Sequence, residues 1–191
     1  MIHAWEQPST GPAAAFAASL AAMIPVIETA RLRLRAPHIG DFDDWAAIEC
    51  SERGRYIGGP MSREDAWRDF TQATATWLLR GHGLWTVEDK ADRVLLGFVL
   101  LGFEPGDREP ELGFLFSEAA EGKGLAHEAA NAARSHAFGA LGWDTLVSYI
   151  VDGNDRSVRL ADRLGATRDR ASEVAFDDPV LVYRHYREGR T

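Results

Sequence analysis

The stretch Glu121-Gly122-Lys123-Gly124-Leu125-Ala126-His127-Glu128-Ala129 joins a strand-like run to an amphipathic helix through a glycine-rich turn. Such a turn can hold an anion. Gly122 and Gly124 allow the backbone to approach a ligand closely, and the first N–H groups of the following helix lack intrahelical acceptors and carry its partial positive charge. Lys123 adds a cation. Two familiar phosphate loops do not fit: Ser117 stands where a P-loop needs its first glycine and Gly124 where it needs Ser or Thr, and His127 stands where a dinucleotide fingerprint needs its third glycine. A turn whose glycines merely avoid strain is the other reading, and this stretch alone leaves both open.

The elements around the turn follow from periodicity. Thr29 to Arg35 alternates apolar and basic residues and reads as a strand, and Asp41 to Ile48 places Phe42, Trp45 and Ile48 on one helical face behind an acidic first turn. Ser62-x-x-Asp65 resembles a capping box that opens a second helix carrying Trp67, Phe70, Thr74 and Trp77 and ending near Gly81. Leu84 to Glu88 and Val94 to Phe103 read as a hairpin turned at Asp89 to Asp92, and Glu109 to Phe116 as a third strand with Pro110 at its start. Leu125 to Leu141 repeats apolar residues at helical spacing and stops before Gly142. Thr145 to Val151 reads as a strand, and Asp152 to Asp155 turns it into a short helix carrying Val158, Ala161 and Leu164, ended by Gly165. Two strand candidates follow around Asp177-Asp178-Pro179, the second being Val180 to Tyr186. This order predicts an α/β or α+β domain in which a mixed sheet carries helices on both faces.

With 191 residues, 46% of them hydrophobic, the chain fits a single domain over residues 26–191. Residues 1–25 form an extension whose apolar run, Ala13 to Ile24, lies between Pro12 and Pro25. No Lys or Arg precedes that run and it is short for a membrane span, so a short helix packing on the domain or on a neighbouring subunit is expected. A net charge of -8 argues against nucleic-acid or anionic-membrane partners. The single cysteine, Cys50, excludes an intrachain disulfide and favours a reducing, cytoplasmic setting. The six histidines are scattered and form no H-E-x-x-H or Cys/His cluster, so no metal site is expected.

Four segments together resemble the GNAT superfamily of N-acetyltransferases. Its cofactor loop reads Gln/Arg-x-x-Gly-x-Gly/Ala; Gly124 and Ala126 fit the last two positions, and Glu121 departs from the first. Gly122-Lys123-Gly124-Leu125-Ala126-x-Glu128-Ala129 is similar to the G-K-G-Y-A-T-E-A of the branch that acetylates ribosomal-protein N-termini, with Leu125 and His127 as departures. Glu111-Leu112-Gly113-Phe114 resembles that branch's E-I-G-Y strand, and Asn154-x-x-Ser157-x-Arg159-x-x-Asp162-Arg163-Leu164-Gly165 its N-x-x-S-x-R-x-x-E-K-L-G helix. Glu28-Thr29-x-Arg31-Leu32-x-Leu34-Arg35 is similar to its first strand, so the resemblance runs from about Val26 to Tyr186.

The resemblance implies a mostly antiparallel sheet splayed in the middle and acetyl-CoA as cosubstrate, with the pyrophosphate on the amides of Gly122, Lys123, Gly124, Leu125, Ala126 and His127. Backbone N–H groups of Phe114, Leu115 and Phe116 would bind the pantetheine arm and polarise the thioester oxygen, and Asn154 would bond the pantetheine amides; Asn154 also suits the helix cap. Glu111, on the strand face of Gly113 and Leu115, is the candidate base for the incoming ammonium, beside the readings of ordered water and of a solvated strand acid. Ser157 resembles the residue that protonates the leaving thiolate in this branch; many relatives use a tyrosine four residues later, where Ala161 stands here. The implied acceptor is a primary amine, on a small molecule or a protein N-terminus. Trp45, Trp67, Trp77 and Trp85 fall where the family forms its acceptor groove, although each also suits the core. A homodimer is expected by analogy alone. A GNAT-fold CoA-binding protein without turnover is the alternative.

Overall fold

The computed structural model describes residues 3–174 and 179–187. Its described strands form one sheet: β1 (Ile27–Glu28), β2 (Leu32–Arg35), β3 (Leu84–Asp89), β4 (Leu95–Gly102), β5 (Glu111–Phe116), β6 (Thr145–Val151), β7 (Thr167–Arg168) and β8 (Val180–Tyr186), in the order β1-β2-β3-β4-β5-β6-β8-β7. Every neighbouring pair is antiparallel except β5 and β6. That parallel pair shares a single registered position, Glu111 opposite Val147. The mixed, mostly antiparallel sheet with helices on both faces is as the sequence and the resemblance predict.

Six α-helices are described: α1 (Gly11–Ala21), α2 (Phe42–Glu49), α3 (Arg63–Arg80), α4 (Leu125–Gly139), α5 (Asp155–Arg163) and α6 (Arg170–Glu173). Alternation along β4 divides the core. Phe98 and Leu100 meet Phe42, Trp45, Ala66, Phe70 and Ala73 of α2 and α3, whereas Val99 and Leu101 meet Ala129, Ala130, Ala133 and Ala137 of α4. Leu160 and Leu164, on and just after α5, join the α4 side, so each face of the sheet carries helices. The alanine stripe of α4 lets its backbone lie close to the sheet. Ser62 caps α3, its Oγ accepting from the Asp65 N–H at 3.1 Å, and Gly81 ends that helix in the left-handed region.

Three segments differ from expectation. The first strand is interrupted: Ile27–Glu28 and Leu32–Arg35 pair with each other as a short hairpin, because Thr29 turns the chain, its hydroxyl accepting from the Leu32 N–H. The helix in the extension covers Gly11–Ala21 and buries no residue; what docks is the chain on either side of it, Trp5 meeting Phe42 and Trp67 and Glu6 pairing with Arg63 before it, and Ile24 packing on the core and the Pro25 carbonyl accepting from the Trp85 indole after it. After Thr167–Arg168 the chain forms α6, capped by Asp169, where a strand was expected. Asp177 and Asp178, the expected turn before β8, lie outside the described residues.

Candidate active site

The site begins where β5 and β6 part. The Val147 N–H donates to the Pro110 carbonyl at 3.0 Å, and one residue further the Ser148 hydroxyl donates to the Leu112 carbonyl at 2.7 Å. Beyond these ties no registered pair joins the strands. On the other side of β5 the ladder to β4 continues, and Ser117 N–H donates to the Leu96 carbonyl. Antiparallel ladders alternate, so the N–H groups of Glu111, Gly113 and Leu115 turn toward β4 and those of Phe114 and Phe116 toward the parting. The amides open to a ligand arm are therefore Phe114 and Phe116; Leu115 offers the cleft its side chain instead.

At the end of the parting lies the glycine turn. Gly122 and Gly124 have φ of 72° and 74°, and Gly124 is the N-cap of α4 without a side-chain acceptor. The first backbone acceptance within the helix is Glu128 N–H on the Gly124 carbonyl, so the Leu125, Ala126 and His127 amides precede the hydrogen-bond ladder. Side chains stiffen the turn from outside. Arg31 donates to the Lys123 carbonyl at 2.9 Å and pairs with Glu128, while the Lys123 ammonium donates to the Ala119 carbonyl at 2.8 Å. His127 Nε2 lies 3.3 Å from the Arg163 carbonyl, tying α4 to α5.

Glu121 is the departure from the family loop, and its surroundings account for it. Its Oε1 lies 2.5 Å from Arg53 and 2.6 Å from Arg156. Those guanidiniums hold the carboxyl below its usual range against a smaller opposing effect of burial. Arg53 also donates to the Phe116 carbonyl at 3.0 Å, so one arginine joins the end of β5 to the turn. Two arginines share one carboxylate, which leaves positive charge at the lip. The parted amides, the left-handed glycines and this charge fit a phosphate-bearing arm lying along the parting.

On the α2–α3 side the parting opens into a cleft of about 440 Å³. Glu111, Ser148, Tyr149, Asn154 and Ser157 line it, so Glu111 and Ser157 are brought to one cavity. Burial pushes the Glu111 carboxyl up to about 8, reinforced by the Asp107 and Glu104 charges and opposed by the Tyr149 N–H at 3.4 Å. Glu111 is part-buried and lines the cleft, which sets it apart from a fully solvated strand acid. The Asn154 Oδ1 accepts from the Ser157 N–H at 3.3 Å, so Asn154 caps α5 and keeps only its NH₂ end for a ligand. Ala161 is fully buried with Ile150 and Tyr183, so that helix position serves packing in this chain.

Ser148 also lies 3.2 Å from His185 Nε2, a pairing that looks nucleophilic. Geometry argues otherwise. The Ser148 proton is engaged by the Leu112 carbonyl, so His185 must donate to Ser148, and burial holds that imidazole down at about 4. The pair pins the point of parting. Trp85 is wholly buried, Trp77 donates to the Leu84 carbonyl, and Trp67 packs against Trp5 at a tilt and Phe42 edge-on; of the four tryptophans, Trp45 alone lines the cleft. Cys50 is exposed and lies outside that lining.

Sequence reasoning missed four acids in the cleft: Glu49, Asp69, Glu104 and Asp107. A signal existed for two of them. Glu49 falls four residues after Trp45 on the buried face of α2, and Asp69 lies between Ala66 and Ala73 on the buried stripe of α3. Burial comes first among the causes that raise all four, to about 9 for Glu49 and about 7 for Glu104.

These shifts predict a pH effect on stability. Glu49, Glu104 and Glu111 have folded values above their unfolded ones, so the folded state holds more protons in between. Their contribution is fully present below about pH 4.5 and is lost as pH rises through about 7 to 9. Between about pH 7.5 and 9, where His185 is largely neutral in both states, the melting temperature is expected to fall, and less steeply in Glu49→Gln. Equal slopes in the two proteins, read by calorimetry, would contradict the burial of an ionisable Glu49.

A mixed sheet that parts beside a glycine turn and opens on an acid-lined cleft has the exposed amides and the space to seat a phosphate-bearing arm against its strands. The sequence profile of the acetyltransferase (GNAT) domain matches residues 31–167, and the chain belongs to that family. A crystal structure of an acetyltransferase from Agrobacterium tumefaciens str. C58 is 36% identical, with a TM-score of 0.81 over 86% of this chain and 95% of that one. A GNAT-family acetyltransferase from Bordetella pertussis is 30% identical, with a TM-score of 0.68 over 84% and 99%. A ribosomal L7/L12 α-N-protein acetyltransferase solved with CoA shares the fold at 16% identity, with a TM-score of 0.68 over 87% and 100%. Among curated sequences, the uncharacterised protein YkkB of Bacillus subtilis (strain 168) is 30% identical over 110 residues; the match spans 54% of this chain and 62% of that relative. Among the described residues no helix is long and apolar enough to cross a membrane, and no group of His, Cys, Asp and Glu is arranged to hold a metal ion.

Proposed function

We propose that this chain is an N-acetyltransferase that moves an acetyl group from acetyl-CoA directly to a primary amine, on a small molecule or a protein N-terminus. The observation that carries the reading is the parting of β5 from β6, which joins the glycine turn to the cleft containing Glu111. Phe114 and Phe116 would hold the pantetheine arm through their N–H groups, and Gly122 to His127 the pyrophosphate. Asn154 would serve a pantetheine carbonyl through its NH₂ end. When bound, acetyl-CoA supplies an activated thioester.

Glu111 accepts a proton from the incoming ammonium, because a base raised toward 8 takes up that proton more readily than an ordinary carboxylate. The amine nitrogen then bonds to the acetyl carbon as the carbon–sulfur bond breaks; Ser157 passes its hydroxyl proton to the departing thiolate, and the second proton, which the nitrogen sheds on becoming an amide, passes through solvent and restores Ser157. Backbone amides aimed at the developing oxyanion contribute about 3 kcal/mol each in comparable sites. The lining supports direct transfer: Ser148 has its proton engaged by Leu112, and Cys50 is elsewhere.

Ser157→Ala is expected to lower kcat by about a hundredfold while acetyl-CoA affinity changes little. Unchanged turnover would return Ser157 to the first turn of α5 and nothing more. The alternative, CoA binding without turnover, rests on Glu121 and Ala161. Calorimetric titration separates the readings: acetyl-CoA should bind and raise the melting temperature, and adding amine should convert it to CoA. Binding with no conversion by any amine favours the alternative, and no binding defeats both.

A further inference from the structure

The chemistry of the acceptor is written on the wall opposite β5. Glu49 and Asp69 from α2 and α3, Glu104 and Asp107 from the turn after β4, and Glu111 from β5 face one cleft. Among the described residues, no Lys, Arg or His joins that lining. Acids elsewhere in the chain are commonly matched: Asp41 and Glu88 with Arg35, Glu109 and Asp169 with Arg184, Glu128 with Arg31. The cleft is different.

A second observation concerns Glu49 itself. Its side chain is 1% exposed and its Oε2 has no hydrogen-bond partner. Asp69 and Trp45 stand beside it and perturb it, yet no bond of normal geometry closes on that oxygen. The Trp45 indole N–H, in a residue 2% exposed and lining the same cleft, is also without a partner. Burial raises the Glu49 carboxyl, so in an empty cleft it keeps its proton beside Asp69, and a cation entering the cleft would be met by the charge of that pair. Glu49 is also enclosed by backbone: Met61 N–H donates to its carbonyl at 3.0 Å, and a Cβ on Gly54 or Gly59 would stand 2.2 or 2.7 Å from that oxygen. The backbone that carries the acid is therefore fixed in place, and its side chain lines the cleft.

Resting on the proposed amine acetylation, we infer that the acceptor is a small dibasic amine: one nitrogen is acetylated beside Glu111, and a second, charged nitrogen is seated against Glu49 and Asp69. One acid is enough to take the reacting proton; the pair on α2 and α3 serves a charge that is retained through the reaction. The cleft volume of about 440 Å³ must also admit the end of the pantetheine arm, which leaves room for a small amine.

The test compares straight-chain α,ω-diamines of two to six carbons with the monoamine and the amino alcohol of matched length. The expected kcat/KM for the best diamine exceeds that of its matched monoamine and amino alcohol by at least tenfold, the scale of one charged hydrogen bond. Glu49→Gln and, separately, Asp69→Asn should shrink that ratio to within about threefold. In parallel, without acetyl-CoA, the diamine and not the monoamine should raise the melting temperature of the wild-type protein, and less so in either variant. Monoamines or peptide N-termini used as well as the diamine would overturn the inference and leave acetyl transfer standing. If no amine is turned over, acetyl transfer fails, and the melting shift decides alone: a diamine-specific rise supports the charge seat, whereas no rise, or an equal rise with magnesium chloride, overturns it. Should one variant not fold, the other carries the comparison.

Discussion

Gly124→Val is expected to weaken acetyl-CoA binding by about 30- to 1000-fold while the fold persists. Gly124 has φ of 74°, where a β-branched residue is a steric outlier costing about 1–2 kcal/mol. A Cβ built there meets only the Arg31 Nη2 at 3.7 Å, so packing is not the obstacle. The backbone must leave the left-handed region, and with it the Leu125, Ala126 and His127 amides lose their common direction. Each charge-assisted bond they would make is worth about 1.5–3 kcal/mol, and the stated range, about 2–4 kcal/mol, lies within the loss of one or two of them. The melting temperature should fall by only a few degrees, on the order of 2–4 °C per kcal/mol in a chain of this size. Gly139→Ala, within α4 and with nothing near its Cβ position, is the control and should bind normally. Unchanged affinity in Gly124→Val would place the phosphates elsewhere.

Glu111→Gln is expected to lower kcat/KM by about a hundred- to ten-thousand-fold with acetyl-CoA binding retained. The pH profile carries the sharper signature. Glu111 must be ionised to accept a proton, so the wild-type rate should climb as pH rises through about 8, and the glutamine variant should lack that limb. An aspartate should restore part of the rate, because it keeps the base at a displaced position. A profile unchanged in Glu111→Gln would assign proton acceptance to ordered water.

The glycine turn and its helix were legible because local pattern governs both: left-handed glycines, an amphipathic stripe and a terminating Gly142. The strands on either side were legible too, as short apolar runs, Glu109 to Phe116 and the β-branched Thr145 to Val151. What periodicity cannot carry is which strands separate. The parting depends on β5 and β6 sharing only the Glu111–Val147 position, and it entered through family resemblance. Alternation then showed something the resemblance had not, that Leu115 gives its amide to β4 while Phe114 and Phe116 turn theirs to the opening. Glu121 looked unfavourable in sequence because its partners, Arg53 and Arg156, are distant along the chain.

The acidic cleft was hidden for the same reason. Its five carboxyls come from four separate segments, and only folding makes them neighbours. Yet Glu49 and Asp69 interrupt apolar helical faces, and an acid at such a position is a signal a sequence can give. Thr167 to Glu173 misled because a two-residue strand and a four-residue helix leave no period to read. The exposed α1 shows the converse: apolar composition between two prolines specified a helix, and the residues that dock, Trp5 and Glu6 before it and Ile24 and Pro25 after it, lie outside it.

The most direct test is the release of free thiol from acetyl-CoA, followed as primary amines are added to the wild-type protein. The expected result is release that depends on the amine, saturates with it, and matches the acetylated amine mole for mole. Thiol release that no amine accelerates, in a protein that binds acetyl-CoA, would contradict acetyl transfer and leave a CoA-binding domain.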